Sequence, residues 1–234
     1  MNWRVLFLLT LLLGAGFIAA EPSGVDILSN TTESPTPQTA ASLTTAGGSF
    51  TTLILNATTQ TLKWKAYVGN ISGDVKLEDA ANYSIYEWDL TTVTGEVYSS
   101  RNTSIDWSSI GCANQGNITA EEGDLNIVTT AVDSINSTFN NTVHTSFYVG
   151  PTLIVNSTCR SVATYVNDSA QAITEAADFQ EVLLADADSN FVYTTILEED
   201  AQGYNNGAFD FQLIVAEDPT TTSASTYYFY AELG

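Results

Sequence analysis

Over most of the chain, apolar and polar residues alternate with a period of two. In residues 62–68, for example, every second position is apolar, and Lys63 and Lys65 occupy two of the positions between. Successive side chains of a strand point to opposite faces, so the alternation predicts strands with one buried face and one face in water. We therefore expect residues 50–234 to form one mainly β domain, an antiparallel β-sandwich-like arrangement of roughly ten strands.

Turn-forming residues separate the alternating segments. Residues 69–73 combine two glycines with Asn70, which predicts a hairpin turn between the strand at 62–68 and a second strand at 75–77. The other predicted strands are 50–55, 83–90, 95–100, 147–155, 179–184, 191–197, 209–215 and 227–233.

One stretch has the period of a helix. Apolar residues recur at steps of three and four from Leu125 to Phe139, which predicts one amphipathic helix over residues 119–139. Thr119 is followed by Glu121 and Glu122, and carboxylates near a helix N-terminus complement the helix dipole. We expect this helix to be inserted between the two cysteines.

The two cysteines, Cys112 and Cys159, bear on the redox environment. In an exported chain an even pair predicts one disulfide, whereas two free thiols are the alternative. A bond closing a loop of about 48 residues would stabilise the fold by roughly 4 kcal/mol.

The first twenty residues have the pattern of an export signal. Arg4 precedes an apolar core, and small residues lead to Ala20, the predicted cleavage point. An uncleaved membrane anchor is the alternative. However, the apolar run over residues 5–20 is shorter than the roughly 20 residues that span a bilayer. No later segment has the length and apolarity of a span, so we expect no membrane span in the mature chain.

Asn-X-Ser/Thr triplets are unusually frequent after this leader. Such triplets are acceptor sites for N-linked glycans and predict a secreted, extracellular cell-surface glycoprotein. The ten predicted glycosylation sites are Asn30, Asn56, Asn70, Asn82, Asn102, Asn117, Asn136, Asn140, Asn156 and Asn167.

Residues 21–49 differ in composition from the rest of the chain. They are rich in Ser, Thr and Pro and poor in large apolar residues, so they predict a flexible N-terminal arm. Within the arm, Val25, Asp26, Ile27 and Leu28 form a short apolar island. This island is a candidate strand that could be added to a neighbouring sheet.

The charge of the chain restricts its partners. The formal net charge is −21, and no Lys or Arg occurs beyond Arg160. Such a field repels nucleic acid and anionic lipid. We expect neither as a partner.

No combination of residues predicts a catalytic site. His144, the only histidine, lies in a polar stretch and is expected to be a surface residue, and no Gly-X-Ser-X-Gly motif accompanies it. Asp186, Asp188 and Asn190 have the spacing that begins an EF-hand calcium loop. Position six of that loop is Phe191 instead of glycine, so a polar hairpin turn is the preferred interpretation and bound calcium the alternative. No other cofactor is expected.

Two weaker patterns remain. Trp64, Trp88 and Trp107 could form a platform for sugar stacking, although aromatic residues are also favoured in ordinary sheets. Residues 75–86 and 182–193 share a strand, acidic turn, strand pattern, which either an internal duplication or ordinary hairpin composition explains.

Several segments together resemble a family of exported, Ser/Thr/Asn-rich archaeal cell-surface proteins that form filaments or surface layers. The segments are GGSFTTLILN (47–56), LKWKAYVGNISG (62–73), IYEW (85–88), GEVY (95–98), FQEVLL (179–184) and YYFYAELG (227–234). The resemblance implies an archaeal extracellular source and no particular activity.

The leading functional hypothesis is a structural subunit of a glycosylated extracellular assembly, a cell-surface filament or a surface layer. Without an anchor, such a chain would be retained by contacts with identical subunits, and the arm could supply them by strand addition. The alternative is a secreted adhesion or carbohydrate-binding module.

Overall fold

The structure, a computed structural model, describes residues 21–90, 92–220 and 224–234, and its strands pair antiparallel in a mainly β fold, as expected. Fifteen strands lie within these ranges, several of them only two or three residues long, so the count of roughly ten is not confirmed. The strands are β1 Ser23–Gly24, β2 Trp64–Gly69, β3 Asp74–Glu78, β4 Ser84–Asp89, β5 Gly95–Ser100, β6 Gly111–Cys112, β7 Phe147–Val149, β8 Thr152–Ile154, β9 Ser161–Ala163, β10 Gln180–Ala185, β11 Phe191–Ile196, β12 Ala201–Gln202, β13 Ala208–Phe209, β14 Phe211–Ala216 and β15 Tyr228–Leu233.

A seven-stranded sheet forms the centre of the domain. Its order is β1-β15-β5-β11-β10-β6, and β9 also pairs with β10. The hairpin β10–β11 is buried almost throughout. Within β10, Leu183 joins one buried cluster while Val182 and Leu184 join another, because successive side chains of a strand point to opposite faces. Both faces of the central hairpin are therefore covered.

The predicted hairpin between residues 62–68 and 75–77 is wrong. β2 pairs with β14, from Trp64↔Ala216 to Gly69↔Phe211, and β3 pairs with β4. Alternation specifies which face of a strand is apolar, but it carries no information about the neighbouring strand. β14 is a better partner for β2 because it is longer than β3 and brings buried residues into the core.

The β14–β2 ribbon packs on one face of the central sheet. Leu213 and Val215 of β14 share a buried cluster with Leu183 and Tyr193 of the central hairpin. Side chains of the central hairpin also satisfy backbone groups of β14: the Thr195 hydroxyl donates to the Gln212 carbonyl over 2.8 Å, and the Ile214 N–H donates to Glu181 over 2.8 Å. These bonds fix the ribbon against the sheet.

The single helix predicted over residues 119–139 is also wrong. Two short helices form instead, α1 Gln115–Asp124 and α2 Ile135–Thr138. The chain turns at Asn126, which has a φ of 52°, and Val128 is exposed, so the period of three and four does not mark one buried stripe. Glu121 and Glu122 lie in the second half of α1.

The disulfide between Cys112 and Cys159 is confirmed. It joins β6 to the segment that follows β8, with a Cα–Cα distance of 4.9 Å. Cys159 belongs to the buried cluster on the face of the sheet opposite α1. Both helices lie in the loop that the bond closes, where the sequence predicted a single helix.

Candidate functional site

The edge strand β15 is closed by only a few residues of the N-terminal arm. β1 contributes two pairs, Ser23↔Ala231 and Gly24↔Tyr230. The Val25 N–H donates to the Phe229 carbonyl over 3.3 Å and extends the pairing by one bond. About half of the outer edge of β15 therefore has a strand beside it.

The rest of the arm makes no regular structure. Residues 26–61 contain neither helix nor strand, and every one of them is exposed. Of the predicted island, Val25 pairs through its backbone, while Asp26, Ile27 and Leu28 extend beyond the edge of the sheet. The strand predicted at 50–55 does not form, and the Phe50 and Ile54 side chains are 94% and 98% exposed.

Two carboxylates meet in a cleft of about 500 Å³ at the end of the same edge strand. Glu96 of β5 and Glu232 of β15 are directly opposite in the register. Thr94, Phe147 and Leu197 are among the residues that line the remaining walls. The Gly150 N–H donates to Glu232 over 2.8 Å and orients that carboxylate.

Burial alters the protonation of this pair. Glu96 is only 6% exposed, and burial, together with the nearby charge of Glu232, raises its pKa to about 8. Burial also raises the pKa of Glu232, an effect that the Gly150 N–H opposes. At neutral pH Glu96 is therefore mostly protonated, and it releases this proton as the pH rises through about 8.

The sequence did not point to this pair. Glu96 and Tyr98 occupy alternate positions of a strand, so they share one face. An acid on the face of a predicted strand was the one sequence feature that could have indicated the site. Glu232 lies beside them only because β15 pairs with β5, and these two strands are far apart in sequence.

His144 is not the surface residue that the sequence predicted. It is fully buried, and its Nε2 accepts the N–H groups of Thr158 and Cys159 over 3.2 and 3.1 Å. Nδ1 then donates to the Thr145 carbonyl over 2.7 Å. Burial lowers the pKa of His144, which favours the neutral ring. The sequence neighbours of His144 are polar and gave no sign of its burial. Its hydrogen bonds hold the backbone next to the disulfide.

The Asp186, Asp188 and Asn190 segment forms the turn of the β10–β11 hairpin. Asp186 Oδ1 accepts the N–H groups of Asp188 and Asn190, and Oδ2 accepts the Asp106 N–H and the Asn190 side-chain amide. Four donors therefore occupy the Asp186 carboxylate. This geometry supports the polar-turn interpretation of the motif.

None of the ten predicted glycan acceptors is buried. Asn117 and Asn136 are half-buried on the helices, and the other eight are exposed. A glycan would be attached to Nδ2, and in three residues that atom donates a hydrogen bond: Asn102 to Asn190, Asn140 to Ser137 and Asn156 to Glu175. Modification at these three would require those bonds to be released.

The three tryptophans do not form one platform. Trp107 is buried, and Trp64 packs against Phe139 with ring centroids 6.0 Å apart. Trp88 is exposed on β4 and lies 4.7 Å from the ring of Tyr86. Of the three predicted tryptophans, only Trp88, which lies beside the exposed ring of Tyr86, presents an aromatic surface for stacking.

Comparison with known proteins finds no matching family model, no matching curated protein and no matching solved structure. The resemblance to archaeal surface proteins thus stays a prediction. The export signal and its cleavage point at Ala20 lie outside the described residues. Within the part of the chain that the structure describes, no helix is long and apolar enough to cross a bilayer.

Proposed function

We propose that this protein is a structural subunit of a glycosylated extracellular assembly, a cell-surface filament or a surface layer built from a β-sandwich-like domain. The observation that carries the proposal is the incompletely closed edge of β15, which a terminal arm of the chain pairs with through a few residues. An arm that pairs with the edge of its own sheet can make the same hydrogen bonds to the edge of an identical neighbour.

The length of the arm supports such an exchange. The 36 residues from 26 to 61 separate the paired residues from the folded domain. A flexible chain of that length has an average end-to-end distance of about 33 Å, which is comparable with the diameter of a small domain. The arm can therefore reach an adjacent subunit without any change in the fold.

The position of the pairing also removes a steric objection. Asn30 is a predicted glycan acceptor near the apolar island, and a sugar there would hinder burial of Ile27 and Leu28. In the structure, the paired residues are Ser23 and Gly24, and Asn30 is exposed beyond them. A glycan at Asn30 is compatible with arm pairing in this register.

Proline substitutions test the proposal. Val25→Pro removes the N–H that donates to Phe229, whereas Asp26→Pro, the matched control, alters the next residue, for which no such bond is seen. We expect Val25→Pro and deletion of residues 21–49 to abolish polymers while leaving a folded monomer. Asp26→Pro should assemble normally. Unchanged polymers in all three variants would contradict the proposal.

The alternative, a secreted carbohydrate-binding or adhesion module, rests on Tyr86 and Trp88. Exposed aromatic rings can stack on the apolar faces of sugars. If Trp88→Ala abolishes binding to immobilised glycans and the protein forms no polymer, the binding module becomes the better account.

A further inference from the structure

The β3–β4 hairpin has an apolar face that the described residues leave about half exposed. The cross-strand pairs Val75↔Trp88 and Leu77↔Tyr86 place four apolar side chains on one face. We call these four residues the hairpin face. Their side chains remain 44–59% exposed, and none of them belongs to a buried cluster of the described chain.

The opposite face of the hairpin is charged and forms ion pairs. Lys76 lies 3.7 Å from Asp74 and 3.5 Å from Glu87. An antiparallel hairpin with one charged and one apolar face is typical of a strand pair that packs on another surface through its apolar side. The charged face is therefore the solvent side, and the hairpin face is the docking side.

The hairpin β10–β11 offers a comparison within the same chain. Residues 75–86 and 182–193 share their strand, acidic turn, strand pattern, and both pairs are antiparallel hairpins. β10–β11 lies at the centre of the domain with its apolar residues fully buried. β3–β4 carries its four paired apolar residues on one face only, and that face stays about half exposed.

A second apolar feature is also exposed among the residues that the structure describes. Residues 50–55, which we call the 50–55 segment, contain Phe50, Leu53, Ile54 and Leu55 and have the composition of a strand. All of them are exposed in the structure. Exposed apolar surface of this kind is typical of a segment that binds another protein surface.

The absence of charge makes these two features the place where two copies can meet at least cost. Two chains that each carry −21 repel each other, and a contact is least costly where no carboxylate has to be desolvated. Residues 34–62 contain no charged residue at all. The hairpin face is likewise free of charge.

We propose that the hairpin face of one copy binds the 50–55 segment of a second copy. The proposal rests on the proposed assembly and adds to it a second contact, separate from the arm pairing at β15. The hairpin face exposes apolar surface on the order of 400 Å², less than the roughly 800 Å² per partner of a stable interface. The contact is therefore a weak one that acts together with arm exchange, and because it joins two different surfaces it propagates from copy to copy.

The predicted glycan acceptors nearest to the contact flank it. Asn82 lies in the hairpin turn, beyond the cross-strand pairs, and Asn56 directly follows the 50–55 segment. Sugars at both positions can extend outward from the ends of the contact.

Disulfide trapping between two differently labelled copies tests the proposal. Ile54→Cys is introduced into one full mature chain and Tyr86→Cys into another, and the two are mixed under mild oxidation. The matched control pairs Ile54→Cys with Glu87→Cys, which lies next to Tyr86 on the charged face. We expect the first pair to give several-fold more mixed dimer than the control pair.

The same mixture in a Val25→Pro background separates the two contacts. If the mixed dimer is trapped in the Val25→Pro background and the protein without that substitution forms no polymer, the hairpin contact is supported and the proposed assembly is contradicted. Polymers that form normally without any Ile54→Cys, Tyr86→Cys trapping would overturn the hairpin contact alone.

Two further outcomes would overturn it as well. If one chain carrying both Ile54→Cys and Tyr86→Cys forms the disulfide within itself, the 50–55 segment covers the hairpin face of its own chain. Dimers of Tyr86→Cys with itself in place of mixed dimers would show that two hairpin faces stack on each other. A blue shift of Trp88 fluorescence on assembly, absent from Trp88→Phe, is the supporting readout.

Discussion

Glu96 and Glu232 lie directly opposite each other on β5 and β15, and the hydroxyl of Tyr98 is 3.5 Å from the first carboxylate and 3.4 Å from the second. Its single proton can satisfy only one of them well at a time. Two acids in one largely buried cleft cannot both ionise without repulsion, so the proton occupancy of the pair is linked to folding.

The contribution of Glu96 to stability is expected to fall as the pH rises. The pKa of Glu96 is about 8 in the folded chain and about 4.5 in the unfolded chain. The folded state therefore retains a proton that the unfolded state loses. The resulting stabilisation is complete below about pH 4.5 and is lost progressively up to about pH 8, with a total on the order of a few kcal/mol.

Glu96→Gln checks this dependence because it fixes the side chain in a neutral form. We expect the variant to be more stable than the parent at pH 8 and nearly equal to it at pH 4, measured by urea denaturation. Glu199→Gln, at an exposed position, serves as the control and should preserve the slope of the parent. Parallel curves for Glu96→Gln and the parent would contradict the assignment.

The disulfide is expected to contribute much of the stability. Replacing Cys112 and Cys159 by serine releases a loop defined by a separation of 47 residues. The unfolded chain then gains entropy, which lowers the free energy of unfolding by about 4 kcal/mol. Urea denaturation of the double variant measures the loss, and a change below about 1 kcal/mol would be inconsistent with this role.

Two ion pairs of different burial are expected to differ in energy. Arg101 donates to both oxygens of Glu121 over 3.0 and 2.6 Å, and Glu121 is buried. Arg101→Ala leaves that carboxylate without its partner and should lower the free energy of unfolding by about 2–3 kcal/mol. Lys76→Ala, which removes the exposed ion pairs of the β3–β4 hairpin, should have no clear effect on the free energy of unfolding, because solvent screens these charges. Equal effects of the two substitutions would contradict this account.

The β class, the disulfide and most strand positions could be predicted because each depends on local information. The local pattern indicates a strand, and β10 and β11 lie where the sequence placed them, although residues 50–55 form none. The pairing of β2 with β14 could not be predicted, because it joins residues far apart in sequence and leaves no local trace.

The burial of single polar residues could not be predicted from the sequence either. His144 lies among polar neighbours in sequence but is buried by Phe147 and by the chain around Cys159. The helical period beyond Leu125 was misleading because Asn126 takes a left-handed conformation and redirects the chain. In each case, a tertiary contact decided what the local pattern left open.

Electron cryo-microscopy of material from the surface of the producing cells tests the central claim most directly. We expect a repeating polymer or lattice that contains this chain, in which Ser23 and Gly24 of one copy pair with Ala231 and Tyr230 of the next. Isolated subunits, each with the arm on its own β15 edge, would contradict it.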